Sequence, residues 1–328
     1  MPICVKFLTG GIAYVLWFFR MIFLSVLSAL ILEHYLSWNR RDRLSAPFDR
    51  WSQMLRSVLD SGAERHGMLA WWLAITPLVL LGVAIHELSV RLSGTGLAWL
   101  IDTLILGAVI DFKTVSDRLG EIAEDLEAER LNEAQGAIEN WEGSPLPGEF
   151  DLPGLASRAI QLALLHAHTR VLAPILWYVI LPGASGPLLY VGALALKRRW
   201  VAVSGDNSQF YVFAQRAMQF LDWLPARLSA LSYAVVGNFE ESLFCWKTQT
   251  KQATQDGRRI VLAAGAGALG VRFEPAPSLP YGVRNGELGT GDFPGADHLE
   301  NAEGLLARTL VFAVVMLGLL TLASLFGI

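Results

Sequence analysis

The residues Trp223-Leu-Pro-Ala-Arg-Leu228 place a proline and an arginine directly before the apolar run 231–236. Both residue types are costly inside the hydrocarbon of a bilayer. The motif therefore predicts a helix at a membrane interface, where the Arg227 guanidinium can reach a phosphate. An arginine that snorkels to the headgroups without binding any other ligand fits the same spacing, and the spacing alone favours this second interpretation.

Other ionisable residues lie near the ends of apolar stretches. Glu33 comes late in the first stretch, where a carboxylate indicates either a functional group in the membrane or a helix end at headgroup level. His168 and Arg170 precede Ala173-Pro174, so they could contact a phosphate or carboxylate, although a solvated helix end fits the pattern better. His166 and His168 are two residues apart and face different sides of a helix, so we predict no shared metal.

Two further groups of ionisable residues are interpreted as structural. His86 and Glu87 follow the second apolar stretch and predict a helix end at headgroup level. Asp102 and Asp111 flank the third stretch, and Lys113 follows closely, which favours a local ion pair at the interface.

The composition is that of an integral membrane protein. Of the 328 residues, 53% are hydrophobic and 17% charged, against about 25% charged in soluble domains. Eleven tryptophans fit a chain with membrane interfaces. A net charge of −4 without a basic stripe gives no indication of a nucleic-acid partner. Cys4 and Cys245 are far apart, so we expect neither a disulfide framework nor a thiolate metal site.

The hydropathy pattern predicts an all-α fold with four spanning helices, at about 21–36, 68–86, 97–111 and 305–327. The segment 171–196 is interrupted by Pro182-Gly183-Ala-Ser-Gly-Pro187, which predicts a re-entrant hairpin, with a single kinked crossing as the alternative. The arginine-rich loop 37–67 is expected in the cytoplasm, and re-entry keeps Lys197-Arg198-Arg199 there too. We therefore expect a multi-pass protein of the bacterial inner membrane with a periplasmic C-terminus. Met21 could be the native start, with residues 1–20 an extension.

The polar stretches have helical periodicity and predict a cytoplasmic layer of amphipathic helices. The ranges are 116–141, 155–165 and 207–221, whereas 275–294 predicts an ordered loop rich in proline and glycine. The run Ala263–Gly270 lacks the lysine of a phosphate-binding loop, so we interpret it as a small-residue helix that packs closely on a neighbour.

Several of these blocks, taken in order from Met21 onward, resemble the CobD/CbiB membrane protein family of cobalamin biosynthesis, whose enzymes are adenosylcobinamide-phosphate synthases. The similarity is closest to the shorter AmpE-like branch. The matching residues are Ala173–Trp177, Gly183, Gly186, Leu189-Tyr190, Phe210, Arg216, Pro225–Leu228, Ala263–Val271, Tyr281-Gly282 and Leu288-Gly289.

The resemblance implies an ATP-dependent amide ligation that joins an aminopropanol phosphate to the corrin side chain. Such a reaction needs acids that hold Mg²⁺ and cations that neutralise phosphate, so Mg²⁺ and ATP are expected only if the ligase activity is present. Expected partners are the lipid bilayer and a corrinoid or another phosphorylated metabolite. The candidate residues for substrate or phosphate binding are Glu33, His168, Arg170, Arg216, Asp222 and Arg227.

The chain also departs from the family at polar positions. Trp141–Gly148 replaces a Gly-Arg-Asp-Thr block, and Leu164–Thr169 lacks the family's acids and asparagine. Apolar and basic residues at 194–197 and Met218-Gln219 replace two further polar blocks, while Asp222 stands where the family usually has Asn. These losses support an alternative hypothesis, a non-catalytic AmpE-like sensor or binding protein, because fold alone does not carry function.

Overall fold

The computed structural model describes residues 20–35, 41–60, 63–148, 150–203, 209–250, 256–273 and 288–325. This part of the chain is almost entirely helical, apart from one short antiparallel pair of strands. The helices are α1 (20–35), α2 (Arg41–Leu59), α3 (Glu64–Ser93), α4 (Thr95–Val109), α5 (Lys113–Glu127), α6 (Leu131–Glu142), α7 (Leu152–Ala167), α8 (Ala173–Ile180), α9 (Ser185–Val203), α10 (Val212–Val236), α11 (Phe239–Gln249), α12 (Gly257–Leu269) and α13 (Asp297–Leu325). The strands are β1 (Arg272–Phe273) and β2 (Leu288–Gly289).

Four helical stretches are long and apolar enough to cross a membrane: Glu64–Leu92, Thr95–Glu127, Leu152–Ile180 and Asp297–Ser324. The predicted all-α membrane fold is confirmed, and three predicted spans lie within or largely overlap these stretches. The predicted span 21–36 coincides with α1, which the structure describes over residues 20–35. The stretch Leu152–Ile180 was not predicted as one helix, because its first half was assigned to the polar layer.

The chain forms two compact units. The first contains Met1–Ile110, Pro174–Met218 and Ala313–Ile328, and the second contains Asp111–Ala173 and Gln219–Phe312. In the first unit α3 packs against α2, α4 and α9.

The predicted break at Pro182-Gly183 is confirmed as a tight turn between α8 and α9. Gly183 has φ +58°, a conformation that other residues rarely adopt. A Cβ atom at Gly186 would lie 2.0 Å from the carbonyl oxygen of Trp177, so only glycine lets the two arms approach so closely. The first arm is longer than the half-helix expected, because it is the end of the 29-residue stretch Leu152–Ile180.

The core of the second unit is built from the predicted amphipathic faces. Leu119, Ile122 and Leu126 of α5 are buried together with Ile138 of α6. The helical region predicted over 116–141 is interrupted between α5 and α6, where Glu129 has φ 55° and the Arg130 side chain bonds Asp125.

The small-residue helix is also confirmed in the second unit. A Cβ atom at Gly265 of α12 would lie 2.6 Å from Leu164 of α7, and one at Gly267 would lie 2.5 Å from the carbonyl oxygen of Glu241. The helix predicted over 207–221 begins later and ends later, at Val212 and Val236, since it continues through Pro225. Most of the loop predicted over 275–294 lies outside the described residues.

Candidate functional site

His168 is the centre of a buried polar network in the second unit. Its side chain is fully buried, with 0% exposure. The Nε2 atom lies 2.9 Å from Asp222 Oδ1, and the Nδ1 atom lies 2.9 Å from Ser229 Oγ. An ionised Asp222 can only accept, so Nε2–H donates to it and the Ser229 hydroxyl donates to Nδ1 when the ring is neutral.

A widened turn brings His168 to this position. Pro174 has no N–H, and its ring would clash with the carbonyl four residues earlier in a regular α-helix. The chain forms a π-helical turn over His168–Leu172, in which the N–H of Ala173 donates to the carbonyl oxygen of His168. Such turns are frequent at functional sites.

The partners of His168 lie on one face of α10. Asp222 and Ser229 are seven residues apart, which is about two helical turns, and both are buried. Asp222 Oδ2 lies against Gly257, the first residue of α12, where a Cβ atom would come within 2.5 Å of it. The N-terminus of a helix favours a negative charge, so α12 stabilises the carboxylate.

The expectation of a solvated helix end at His168 was therefore wrong. The helix does not end before Ala173-Pro174, because the π-helical turn absorbs the proline and the helix continues to Ile180. The residues before the proline are thus in the middle of a long helix.

Ser, His and Asp are the residue types of a nucleophilic triad, but burial excludes that chemistry in this arrangement. Ser229 is only 2% exposed, so a substrate carbonyl does not reach its hydroxyl. The network instead connects the π-helical turn, α10 and the start of α12. Ser229 was missed from the sequence, where its only signal was the spacing of seven residues from Asp222.

Arg227 lies on a different side of α10 from Asp222 and is partly exposed. Its guanidinium stacks on the Trp223 ring at 4.3 Å, and Nη1 donates to the carbonyl oxygen of Trp223 at 2.8 Å. Partial burial lowers the pKa of Arg227 from its usual value. This geometry is that of an arginine folded back on an aromatic ring of its own helix.

The other candidates are dispersed. Arg170 is half-buried on the π-helical turn of the second unit. Glu33 is buried in the first unit. Arg216 is exposed in the first unit and forms an ion pair with Glu64. Within the predicted set, the structure places His168 and Asp222 in a direct hydrogen bond.

A second polar network, in the first unit, was also missed. His86 Nδ1 lies 2.8 Å from Asp102 Oδ2, and the N–H of Ala184 donates to Asp102 Oδ1 at 3.2 Å. The helix end predicted at His86-Glu87 was wrong, because α3 continues to Ser93. Asp102 of α4 therefore bonds both α3, through His86, and the turn after Pro182, through the N–H of Ala184.

The histidines two residues apart have separate partners. His166 Nε2 lies 3.2 Å from Asp111 Oδ2, and Trp141 Nε1–H donates to His166 Nδ1 at 3.3 Å. Within the described ranges no three His, Cys, Asp or Glu side chains are placed to hold one metal ion. From these residues we derive no step through Mg²⁺ or ATP.

Comparisons with known proteins identify relatives over most of the chain. A family model described as CobD/Cbib protein matches residues 16–305. Cobalamin biosynthesis protein CobD of Stutzerimonas stutzeri is 32% identical over 291 residues, which cover 87% of this chain and 93% of that protein. The protein of the same description from Chromobacterium violaceum is 32% identical over 203 residues, 57% of this chain and 62% of its own. Protein AmpE of Shigella flexneri is 32% identical over 93 residues, 27% of this chain and 32% of its own. No solved structure matches the chain.

Proposed function

We propose that this chain, which belongs to the CobD/Cbib protein family, works in cobalamin biosynthesis as a multi-pass protein of the bacterial inner membrane. The observation that carries the proposal is the similarity to a cobalamin biosynthesis protein over 93% of that relative's length. Four helices able to cross a membrane support the location. A corrinoid is the partner that this function implies.

The reaction that we propose is amide ligation. An amide bond would form between the amine of an aminopropanol phosphate and a carboxyl group of the corrin side chain. ATP would phosphorylate the carboxyl group and become ADP, so that the carboxyl oxygen leaves as inorganic phosphate while the amine loses a proton. We assign no residue of this chain to activation of that carboxyl group.

His168 and Asp222 are proposed as positioning residues rather than substrate contacts, because both are buried. Their hydrogen bond connects two segments that resemble the family, Ala173–Trp177 after the π-helical turn and Pro225–Leu228 on α10. Ala226 in turn packs against the start of α12, which leads into the third such segment, Ala263–Val271. The network therefore connects the π-helical turn, α10 and the start of α12 within the second unit.

A non-catalytic AmpE-like sensor or binding protein is the second candidate. Protein AmpE of Shigella flexneri matches over 93 residues. The substituted stretch Leu164–Thr169 also favours this role, since its His168 bonds Asp222 of α10 and is fully buried.

A product assay with the full chain in lipid nanodiscs tests the proposal. The protein is incubated with the corrin acid, aminopropanol phosphate, ATP and Mg²⁺, and the amide product is detected by mass spectrometry. The matched control is the CobD protein of Stutzerimonas stutzeri prepared in the same way. We expect product with both proteins, whereas product with the control alone would support the sensor or binding role.

A further inference from the structure

One face of α10 is exposed and almost wholly apolar between Phe220 and Val235. Within the second unit, large apolar side chains occupy the outward positions of this helix. Phe220 is 79% exposed and Val235 is 48% exposed. The exposed apolar residues are Phe220, Trp223, Leu224, Leu228, Leu231 and Val235. We call this set the α10 face.

The α10 face is a coherent stripe. At about 3.6 residues per turn, Phe220, Leu224, Leu228, Leu231 and Val235 fall within an arc of roughly 80°. Trp223 and Arg227 lie together along one edge of the arc, where the guanidinium stacks on the indole. The other side of the helix carries Asp222, Ser229 and Tyr233, all buried in the second unit. The stripe therefore points away from the core of its own unit.

The residue after α10 packs against a helix that can cross the membrane. A Cβ atom at Gly237, the residue after α10, would lie 3.0 Å from Leu305 Cδ1. Leu305 belongs to α13, within the stretch Asp297–Ser324 that is long and apolar enough to span. Leu305 is buried in the second unit, and the uncharged part of α13 begins after the exposed Arg308. The C-terminal end of the α10 face therefore lies about one helical turn of α13 before the part that can enter hydrocarbon.

The chemistry of the stripe fits a bilayer interface. Amphipathic helices in the plane of the interface bury an apolar face by about 5–10 Å and place tryptophan and basic residues at headgroup level. The α10 face is about 22 Å long, shorter than the ~30 Å of a hydrocarbon core. The Trp223–Arg227 edge lies beside the stripe rather than at its end, as expected of a helix that lies flat.

We propose that the α10 face lies in the plane of the membrane interface against lipid acyl chains, with the Arg227–Trp223 edge at the level of the headgroup phosphates. This role does not depend on the proposed ligase activity. It assigns Arg227 to lipid rather than to a metabolite, and it explains why a charged side chain lies beside an apolar stripe.

Photo-crosslinking in native-composition vesicles tests the proposal with the full chain. The photoreactive residue p-benzoylphenylalanine replaces Phe220, Leu231 or Val235, one position at a time. Glu133, an exposed residue of α6, is the matched polar control, and Leu319, an exposed apolar residue in the α13 span, is the positive control. Mass spectrometry identifies phospholipid adducts, and fragmentation locates the acyl carbon that is attached.

We expect phospholipid adducts from all three α10 positions and from Leu319, and none from Glu133. The attached acyl carbons should be at similar depth for Phe220 and Val235. Absence of α10 adducts while Leu319 reacts would overturn the proposal, as would crosslinks between two copies of the chain. A steep change in depth from Phe220 to Val235 would overturn the in-plane arrangement. At position 220 one aromatic side chain replaces another, so this variant is the least disturbed of the three. It still tests the proposal if another variant does not fold.

Discussion

At the residue scale, the bond between His168 and Asp222 is a buried polar contact of the second unit. A buried polar group that loses its partner keeps its desolvation cost without compensation. His168 has two partners, one on each ring nitrogen, so the effect of removing either can be measured separately.

We predict that Asp222→Ala lowers the free energy of unfolding by about 1–3 kcal/mol, because His168 Nε2 then has no acceptor at this position. Asp222→Asn is the matched variant, since its amide oxygen can still accept from Nε2–H. The measurement is thermal unfolding in detergent, with wild type expected to be most stable, then Asp222→Asn, then Asp222→Ala. Equal stability of Asp222→Ala and wild type would contradict the role of this bond.

The sequence indicated both residues of this pair but not their contact. His168 and Asp222 are 54 positions apart, and no local period connects them. Ser229 was not recognised, because a serine near the middle of an apolar helix has no distinctive pattern. Arg227 was predicted at the start of an interfacial helix, whereas it lies in the interior of α10. Its stacking on Trp223 depends on side-chain rotamers that spacing does not determine.

At the element scale, close helix packing depends on glycines at specific contacts. Gly257 begins α12 between Asp222 and Ala226, where an added Cβ atom would lie 2.5 Å from Asp222 Oδ2 and 2.9 Å from the Ala226 Cβ atom. Gly136 of α6, in contrast, has nothing within 4 Å of an added Cβ atom. The two glycines differ in packing and therefore form a matched pair.

We predict that Gly257→Ala destabilises the protein by about 1–3 kcal/mol, because the added methyl group overpacks the contact between α10 and α12. Gly136→Ala should instead stabilise it by about 0.4–1 kcal/mol, because it only reduces the freedom of the unfolded chain. Thermal unfolding of both variants measures whether the two changes in stability have opposite signs. A stabilising effect of Gly257→Ala would show that the start of α12 is not packed against α10.

Element types followed from periodicity, whereas helix ends did not. The faces of α5 and α6 were predicted because apolar residues recur at helical spacing. The continuity of Leu152–Ile180 was missed because Pro174 normally ends a helix, and only a π-helical turn accommodates it here. The extent of α10 was missed for a similar reason at Pro225.

At the scale of the whole molecule, the pattern of positive charge determines the expected topology. The loop 37–67 and the cluster Lys197-Arg198-Arg199 are both basic, and cytoplasmic loops carry an excess of such residues. Both basic segments lie on the same side of the membrane if α8 and α9 form a re-entrant hairpin. We therefore propose that the turn after Pro182 lies within the membrane and that the chain returns to the cytoplasm after α9.

We predict that Gly205→Cys is labelled by a membrane-impermeant maleimide only after the cells are permeabilised. The labelling is done with Cys4→Ser in the background, and Cys245 is buried. A cysteine in place of exposed Glu133 serves as a second cytoplasmic reporter. Labelling of Gly205→Cys in intact cells would show that the segment 171–196 crosses fully.

Complementation tests the central claim, a function in cobalamin biosynthesis, most directly. A bacterial strain that lacks its adenosylcobinamide-phosphate synthase is supplied with the precursors and with the gene for this chain. Immunoblotting of the membrane fraction shows that the protein is present, and the strain's own synthase gene is the positive control. We predict that growth dependent on cobalamin is restored. Failure to restore growth, with the protein present in the membrane and the control active, would contradict the claim.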